Sequence, residues 1–446
     1  MRTIAAEQQE LRQGVPRPDP VELEFQRLKV AIHEVLVESL NLSVVDVANE
    51  ARFADELRGL AKELCDLKGS HLAPPQQERL LSDLMDEVFG LGPLEGLMND
   101  PEATDILVNN AYEVHVERRG RLELTNVIFA DDEHVLRTVQ RIAARVGRRV
   151  DETSPMVDAR LPDGSRINAV IPPLAIDGPA LSIRRFTAEA LTLDTMIETG
   201  SLSPNMADFL IGAVDAGMSF LVSGGTGAGK TTLLNALSRF IGAGERVVTI
   251  EDSAELRLQN MHVVRMETRT HNTEGVGAVS QRDLVRNALR MRPDRILVGE
   301  VRGAEALDML QAMNSGHEGS LSTIHANDTR EALARLEMMA AMAGFNLPVP
   351  VVRQYIAAGI RLIVHVARLK SGERKVVRIS EIAGVKDGEF IVEDVFRFER
   401  DDINTPGTIG GEFRATGYLP KCRARMKASG VNISDWWFSE PPQSVE

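Results

Sequence analysis

Cysteine is nearly absent. Cys65 and Cys422 are the only two thiols in 446 residues, and neither has a ligand-spaced neighbour. A disulfide framework and a cysteine zinc site are both excluded as organising features, and a reducing cytoplasm fits. Aromatic side chains are also scarce, at 4%, and positive charge is in deficit. Lys and Arg total 51 against 65 Asp and Glu, a net charge of −14. A dedicated nucleic-acid binder needs the opposite balance, and a single-strand binder needs stacking rings as well, so no direct nucleic-acid partner is expected. No run of about 18 uninterrupted apolar residues occurs. The best candidate, Phe209 to Val222, is broken by Asp215 and reads as a buried helix followed by a strand. Membrane association, if any, is expected to be peripheral and through partners. Met1 to Glu10 lacks the apolar core of a secretory signal.

What is present is enough apolar content, 43%, to build about two to four domains at this length. Residues 1–20 are polar and end in Pro16-Arg-Pro18-Asp-Pro20, a flexible lead-in. Residues 21–75 read as a helical module, with apolar positions Leu28, Ile32, Val35, Leu36 and Leu40 at helical spacing. After the break at Ala73-Pro74-Pro75, residues 76–186 read as a smaller α+β domain. It contains alternating runs at Ile106 to Asn110 and Val114 to Gly120, and short strands around the Pro162-Asp163-Gly164 turn. Residues 187–400 change character. The strand-like runs Phe220 to Val222, Val247 to Ile250, Ile296 to Val298 and Leu321 to Ile324 alternate with helical stretches, the pattern of a mainly parallel α/β sheet. Residues 401–446 are polar and read as an irregular tail.

The chemistry concentrates in the α/β region. Gly224-Gly225-Thr226-Gly227-Ala228-Gly229-Lys230-Thr231-Thr232 follows an apolar strand and opens a helix, which is the setting of a phosphate-binding loop. Small residues let backbone N–H groups close on phosphate oxygens. Lys230 would reach the outer phosphates, and Thr231 would place a hydroxyl on Mg²⁺. Ile296 to Glu300 is a second strand, ending in a carboxylate suited to water polarisation or metal binding, so Thr231 and Glu300 are the candidate metal residues. Gly299 occupies the position where many such motors carry aspartate. Glu251, Asp252 and Glu255 cluster after the Val247 strand, a grouping that like charge disfavours unless a cation is near. His317 and His325 bracket the Leu321 strand, where imidazoles could hydrogen-bond a γ phosphate. Arg160, Arg166, Arg184 and Arg185 of the preceding domain, with Arg148 and Arg149 beside them, could deliver positive charge to a transferring phosphoryl group. No Asn-Lys-x-Asp guanine reader is present, which favours ATP.

In this order the loop, the Ile250 to Glu255 box, the Arg292 to Gly303 run and the Gly316 to His325 box resemble those of the secretion and pilus ATPases, and in particular the CpaF/TadA branch. Gly92-Pro-Leu-Glu95, Gly147 to Asp151 and Asp158 to Arg166 extend the likeness over roughly residues 80 to 400. The resemblance implies a RecA-like motor domain preceded by a smaller, PAS-like α+β domain and the helical module. It also implies a homohexamer hydrolysing ATP with Mg²⁺ at the inner face of a bacterial or archaeal inner membrane. On that basis Glu251, Asp252, Glu255 and Glu300 serve hydrolysis, His317 and His325 sense the γ phosphate, and Arg160, Arg166, Arg184 and Arg185 engage it from the N-terminal domain. Force would pass to polytopic platform proteins that assemble, and in some systems retract, a Tad-type pilus. A type IV secretion channel ATPase, a nucleic-acid translocase and a nonhydrolysing nucleotide-dependent scaffold are the competing readings.

Overall fold

The structure, a computed structural model, describes residues 18–39, 50–118, 120–186, 191–269, 277–344, 347–369, 371–400 and 411–439. Leu40, residues 1–17 and 401–410, which hold parts of the expected lead-in and tail, lie outside the described residues. The chain forms two compact units, Met1–Ala188 and Glu189–Glu446.

The first unit begins with three helices, α1 (Pro20–Ser39), α2 (Glu50–Lys68) and α3 (Pro74–Phe89). Pro74 sits in the first turn of α3, where its missing N–H costs nothing. Ile32, Leu36, Leu57, Leu80 and Leu84 are fully buried among the three. The short α4 (Glu95–Met98) leads into β1 (Ala103–Asn110), β2 (Glu113–Arg118) and β3 (Arg121–Leu124). Helix α5 (Asp132–Arg145) follows, then β4 (Met156–Arg160), β5 (Arg166–Val170) and β6 (Ala180–Arg184). The six strands form one antiparallel sheet in the order β3-β2-β1-β6-β5-β4. Alternation along β1 and β2 buries Ile106, Val108, Val114 and Val116 against Val139 and Ile142 of α5. Asp131 caps α5 by accepting from the N–H of His134 at 2.8 Å.

The second unit opens with α6 (Leu193–Glu198) and α7 (Pro204–Asp215). Ser203 caps α7 and Pro204 is its first residue. Next come β7 (Phe220–Gly224), α8 (Lys230–Ser238), β8 (Val247–Glu251), β9 (Val263–Glu267), α9 (Gln281–Ala288) and β10 (Arg295–Val301). These are followed by α10 (Glu305–Asn314), β11 (Leu321–His325), α11 (Thr329–Met342), α12 (Val349–Gly359) and β12 (Leu362–Arg368). The strands β12-β7-β11-β10-β8-β9 are parallel neighbours, with β7 and β8 buried along their whole length and β9 a partly exposed edge. Strands β13 (Arg374–Lys386), β14 (Glu389–Arg400) and β15 (Gly411–Ala415) extend the sheet antiparallel beyond β12. Strand β7 lies centrally and its sequence successor β8 is three places away, so the connection after β7 leaves a crevice at the carboxyl edge of the sheet. Among the described residues no helix is long and apolar enough to cross a membrane.

Residues 411–438 depart from the expected irregular tail. Strand β15 pairs with β14, and α13 (Arg423–Ala428) and a 3₁₀ turn at Asp435–Phe438 follow. Met426 and Phe438 are buried in the main core, and Phe438 meets Phe209 edge-on at 5.7 Å. Glu381 anchors the segment by accepting from Tyr418 Oη at 2.7 Å and from the N–H groups of Lys421 and Cys422 at 2.8 and 2.6 Å.

Candidate functional site

The loop of residues 224–229 sits at the carboxyl end of β7, whose five residues are all buried. Glycine is required at its first position, because a Cβ on Gly224 would lie 2.3 Å from the carbonyl oxygen of Val366 in β12. Gly229 ends the loop at φ +98°, in the left-handed region that favours glycine, and caps α8. Backbone N–H groups of the α8 first turn, which begins Lys230-Thr231-Thr232, are therefore left without intrahelical partners at the loop. Lys230 Nζ donates to the carbonyls of Gly224 and Gly225, each at 3.0 Å, and stands 3.9 Å from Glu300 Oε1. From the other flank of β7, Arg374 Nε of β13 donates to the Gly227 carbonyl at 2.8 Å.

Glu300 reaches this place through a bulge. Leu297 and Val298 of β10 pair with Leu321 and Ser322 of β11, but Val301 pairs with Ile324, so Gly299 and Glu300 together oppose Thr323. The extra residue re-aims the Glu300 side chain. Thr323 Oγ1 fixes the bulge by donating to the Gly299 carbonyl at 2.7 Å. Arg302 Nε and Nη2 donate to Glu300 Oε2 at 2.9 and 2.5 Å, and Arg302 Nη1 lies 3.6 Å from Asp252 Oδ2. Glu300 thus stands between Lys230 and Arg302.

Glu251 ends β8 beside Gly299 and is 2% exposed. Its Oε2 accepts from the N–H groups of Glu255 and Leu256 at 2.7 and 2.9 Å, while its buried Oε1 has no hydrogen-bond partner. Burial pushes the carboxyl up to about 7, and the two amides only partly oppose that. The glycine at position 299 has a packing cause. A Cβ there would lie 2.9 Å from Glu251 Cγ, so an aspartate at 299 would require the buried Glu251 side chain to shift. The rest of the acidic box lies outward. Asp252 is exposed and accepts weakly from Thr268 Oγ1 at 3.4 Å, and Glu255 contributes a backbone N–H to Glu251.

The two histidines are separated. His325 closes β11 and pairs in register with Gly224, so it lies at the loop edge. His317 precedes β11, and Gly319 donates to Ser219 Oγ just before β7 at 3.0 Å. His317 therefore sits at the opposite edge of the sheet from the loop of its own unit. The two imidazoles therefore do not lie together: His325 is at the loop edge, and the length of β11 separates it from His317.

In the first unit, Arg160, Arg166 and Arg184 share one rung across β4, β5 and β6, with Asp105 of β1 beyond. Opposed residues of neighbouring strands share a face, and Arg160 Nε donates to the Gly164 carbonyl at 3.2 Å with its guanidinium 5.6 Å from the centre of the Phe186 ring. Asp105 Oδ1 lies 3.4 Å from Arg184 Nε. Arg185 is not in the row. It points to the other face, where it donates to the carbonyls of Asp100 and Ala103, a structural tie between β6 and the α4–β1 turn.

The sequence pattern described as Type II/IV secretion system protein matches residues 87–391. The chain belongs to that family. A putative conjugal transfer protein of Mycobacterium tuberculosis is 41% identical over 324 residues, covering 71% of this chain and 91% of that protein. The type IV secretion system protein PtlH of Bordetella pertussis is 36% identical over 320 residues, 65% of this chain and 94% of its own. Among solved structures, the Brucella suis VirB11 ATPase in complex with sulphate is 30% identical, covering 66% of this chain and 97% of that chain, with a TM-score of 0.36. The chain is an ATPase of the type II/IV secretion family. No cluster of three His, Cys, Asp or Glu able to hold a metal occurs among the described residues. The oxygen donors beside the loop are the Glu300 carboxylate, 3.9 Å from Lys230 Nζ, and the Thr231 hydroxyl in the first turn of α8, a hard donor set of the kind Mg²⁺ takes.

Proposed function

We propose that this chain is the motor of a Tad-type pilus assembly system, of the CpaF/TadA kind, working as a homohexamer on inner-membrane platform proteins. The reading is supported foremost by the loop at the carboxyl end of β7, with Lys230 at the start of α8 and Glu300 of β10 drawn to 3.9 Å. Thr231 and Glu300 would hold Mg²⁺, which supplies charge neutralisation at the transferring phosphoryl group. The loop amides and Lys230 bind and orient the phosphates. Glu251, with one unpartnered oxygen and a carboxyl poised near neutrality, takes a proton from the attacking water. Glu300, braced by Arg302, orients that water, and Asp252 and Glu255 complete the negative box around Arg302. His325 reports on the γ phosphate at the loop edge. Arg160, Arg166 and Arg184, which share one rung of the first unit's sheet, are the arginines proposed to engage the γ phosphate in the assembled ring. His317, at the far edge of the sheet, is given no role at its own loop.

The kinship to conjugal transfer and type IV secretion proteins favours a second reading, an ATPase that moves protein or DNA through an envelope channel. Loss of surface pili in a gene deletion, restored by the wild type and not by Lys230→Ala, supports the pilus motor. Normal pili with lost secretion or conjugation favours the channel. In purified protein Lys230→Ala is expected to lower ATP turnover by at least about a hundredfold. A strictly monomeric, fully active enzyme would overturn the ring.

A further inference from the structure

The loop's own unit carries two guanidinium groups beside the loop. Arg368 closes β12, Arg374 opens β13, and the two are paired across that ladder. The hairpin is tied to the loop at three levels. Within the sheet, His365 Nδ1 and the buried Ser223 Oγ are 2.9 Å apart. One residue further, the Val366 carbonyl abuts Gly224 so closely that no side chain fits there. Above these, Arg374 Nε donates to the Gly227 carbonyl at 2.8 Å, and its Cδ lies 3.5 Å from where a Gly229 Cβ would be. Arg368 Nη1 approaches the same stretch, 3.8 Å from the Cβ position of Gly227.

Charge gives this pair a task. On the β10 and β8 flank, Glu300 stands between Lys230 and Arg302, Asp252 Oδ2 lies 3.6 Å from Arg302 Nη1, and Arg302 is committed to Glu300. A polyphosphate entering there meets the Glu300 and Asp252 carboxylates as well as Lys230, and a bound Mg²⁺ would be drawn to that same flank. Guanidinium is the side chain best matched to phosphate oxygens, and Arg368 and Arg374 stand on the flank of β7 that lacks the carboxylates.

We propose that Arg368 and Arg374 act in cis on the bound polyphosphate. Arg374 is a positioning residue that holds the Gly227 carbonyl turned away so that the loop amides face the phosphates, and both guanidinium groups neutralise the phosphates from the β12 side. The proposal rests on the ATPase reading of the loop.

The test is equilibrium binding of ATP, ADP and AMP, with KM and kcat for ATP, on purified full-length protein. The variants are Arg368→Ala, Arg368→Lys, Arg374→Ala and Arg374→Lys, with Glu373→Ala on the same turn as control and melting temperature recorded for each. Arg368→Ala is expected to weaken ATP and ADP by about tenfold and raise KM in step, with AMP unchanged and Arg368→Lys recovering most of the loss. Arg374→Ala is expected to lose more and to lower kcat. Arg374→Lys stays impaired, since an ammonium does not reproduce the Nε–H geometry, and Glu373→Ala behaves as wild type. If Arg374→Ala fails to fold, the Arg368 pair decides. Folded alanine variants with wild-type ATP affinity and KM, or losses as large for AMP as for ATP, would overturn the proposal alone. A wild-type protein that binds no nucleotide would overturn the ATPase reading with it.

Discussion

Two buried glutamates, one in each unit, show what a fold does with a carboxylate it keeps from water. Glu87 of α3 is 1% exposed. Its Oε1 lies 2.9 Å from both Lys29 Nζ of α1 and His134 Nε2 of α5, and its Oε2 lies 3.2 Å from Arg141 Nη2. His134 Nδ1 accepts from the Ala130 N–H at 3.3 Å, so Nε2 is the nitrogen that donates to Glu87. Burial raises the carboxyl, but the His134 hydrogen bond and the Lys29 charge more than offset it and hold Glu87 well below the usual range. Glu251, as deeply buried, has two amides on one oxygen and nothing on the other, and it is pushed up to about 7. Full pairing turns a buried charge into a clamp joining three helices, and partial pairing leaves a proton acceptor near neutral pH.

Three perturbations would break or sharpen this contrast. The largest is Glu87→Ala, which strands the Lys29 ammonium in an apolar site. Urea denaturation is expected to show a loss of about 3–5 kcal/mol, because an uncompensated buried charge remains, and a loss below about 1 kcal/mol would refute the clamp. Next is the pH dependence. The folded pKa of Glu251 lies above its ordinary 4.5, so the folded state binds this proton more tightly than the unfolded state does. Its contribution to stability is therefore full below about 4.5 and is lost as pH rises through about 7, by about 3 kcal/mol. Glu251→Gln should flatten that slope in denaturation curves taken from pH 5 to 8, whereas Glu87, shifted down, contributes above the ordinary carboxylate range and fails only in acid. The smallest is Gly299→Ala. Its Cβ would sit 2.9 Å from Glu251 Cγ, so a cost of about 1–3 kcal/mol by thermal denaturation is expected. Glu251→Gln would not relieve it, since glutamine keeps that Cγ.

What was legible in the sequence was local. The loop between β7 and α8 declares itself by contiguous residues, and so does the Glu300 strand, since a buried parallel strand reads as an apolar run ending in polar function. Glu251, Asp252 and Glu255 were found as a box, but one line of residues does not reveal that Glu251 folds inward while Asp252 faces out. Gly299 looked like a missing aspartate, and only the neighbouring strand shows the Glu251 side chain that needs the space. The two histidines seemed close because eight positions separate them, yet an intervening strand puts them at opposite edges of the sheet. Arg185 resembled its neighbour Arg184 until pleating placed them on different faces. The segment 411–438 carried too few apolar residues in a row to announce an element, and its burial depends on distant partners such as Phe209 and Glu381. The Glu87 clamp joins residues 29, 87, 134 and 141, a set with no sequence spacing to betray it.

The most direct test of the account is single-turnover ATP hydrolysis by Glu251→Gln beside wild type, with ATP affinity measured on the same preparations. Turnover is expected to fall by at least about a hundredfold, the size of a lost general base, while ATP binding stays within about twofold of wild type. Wild-type turnover in a folded, ATP-bound Glu251→Gln protein would contradict the assignment and leave Glu300 as the carboxylate that acts on water.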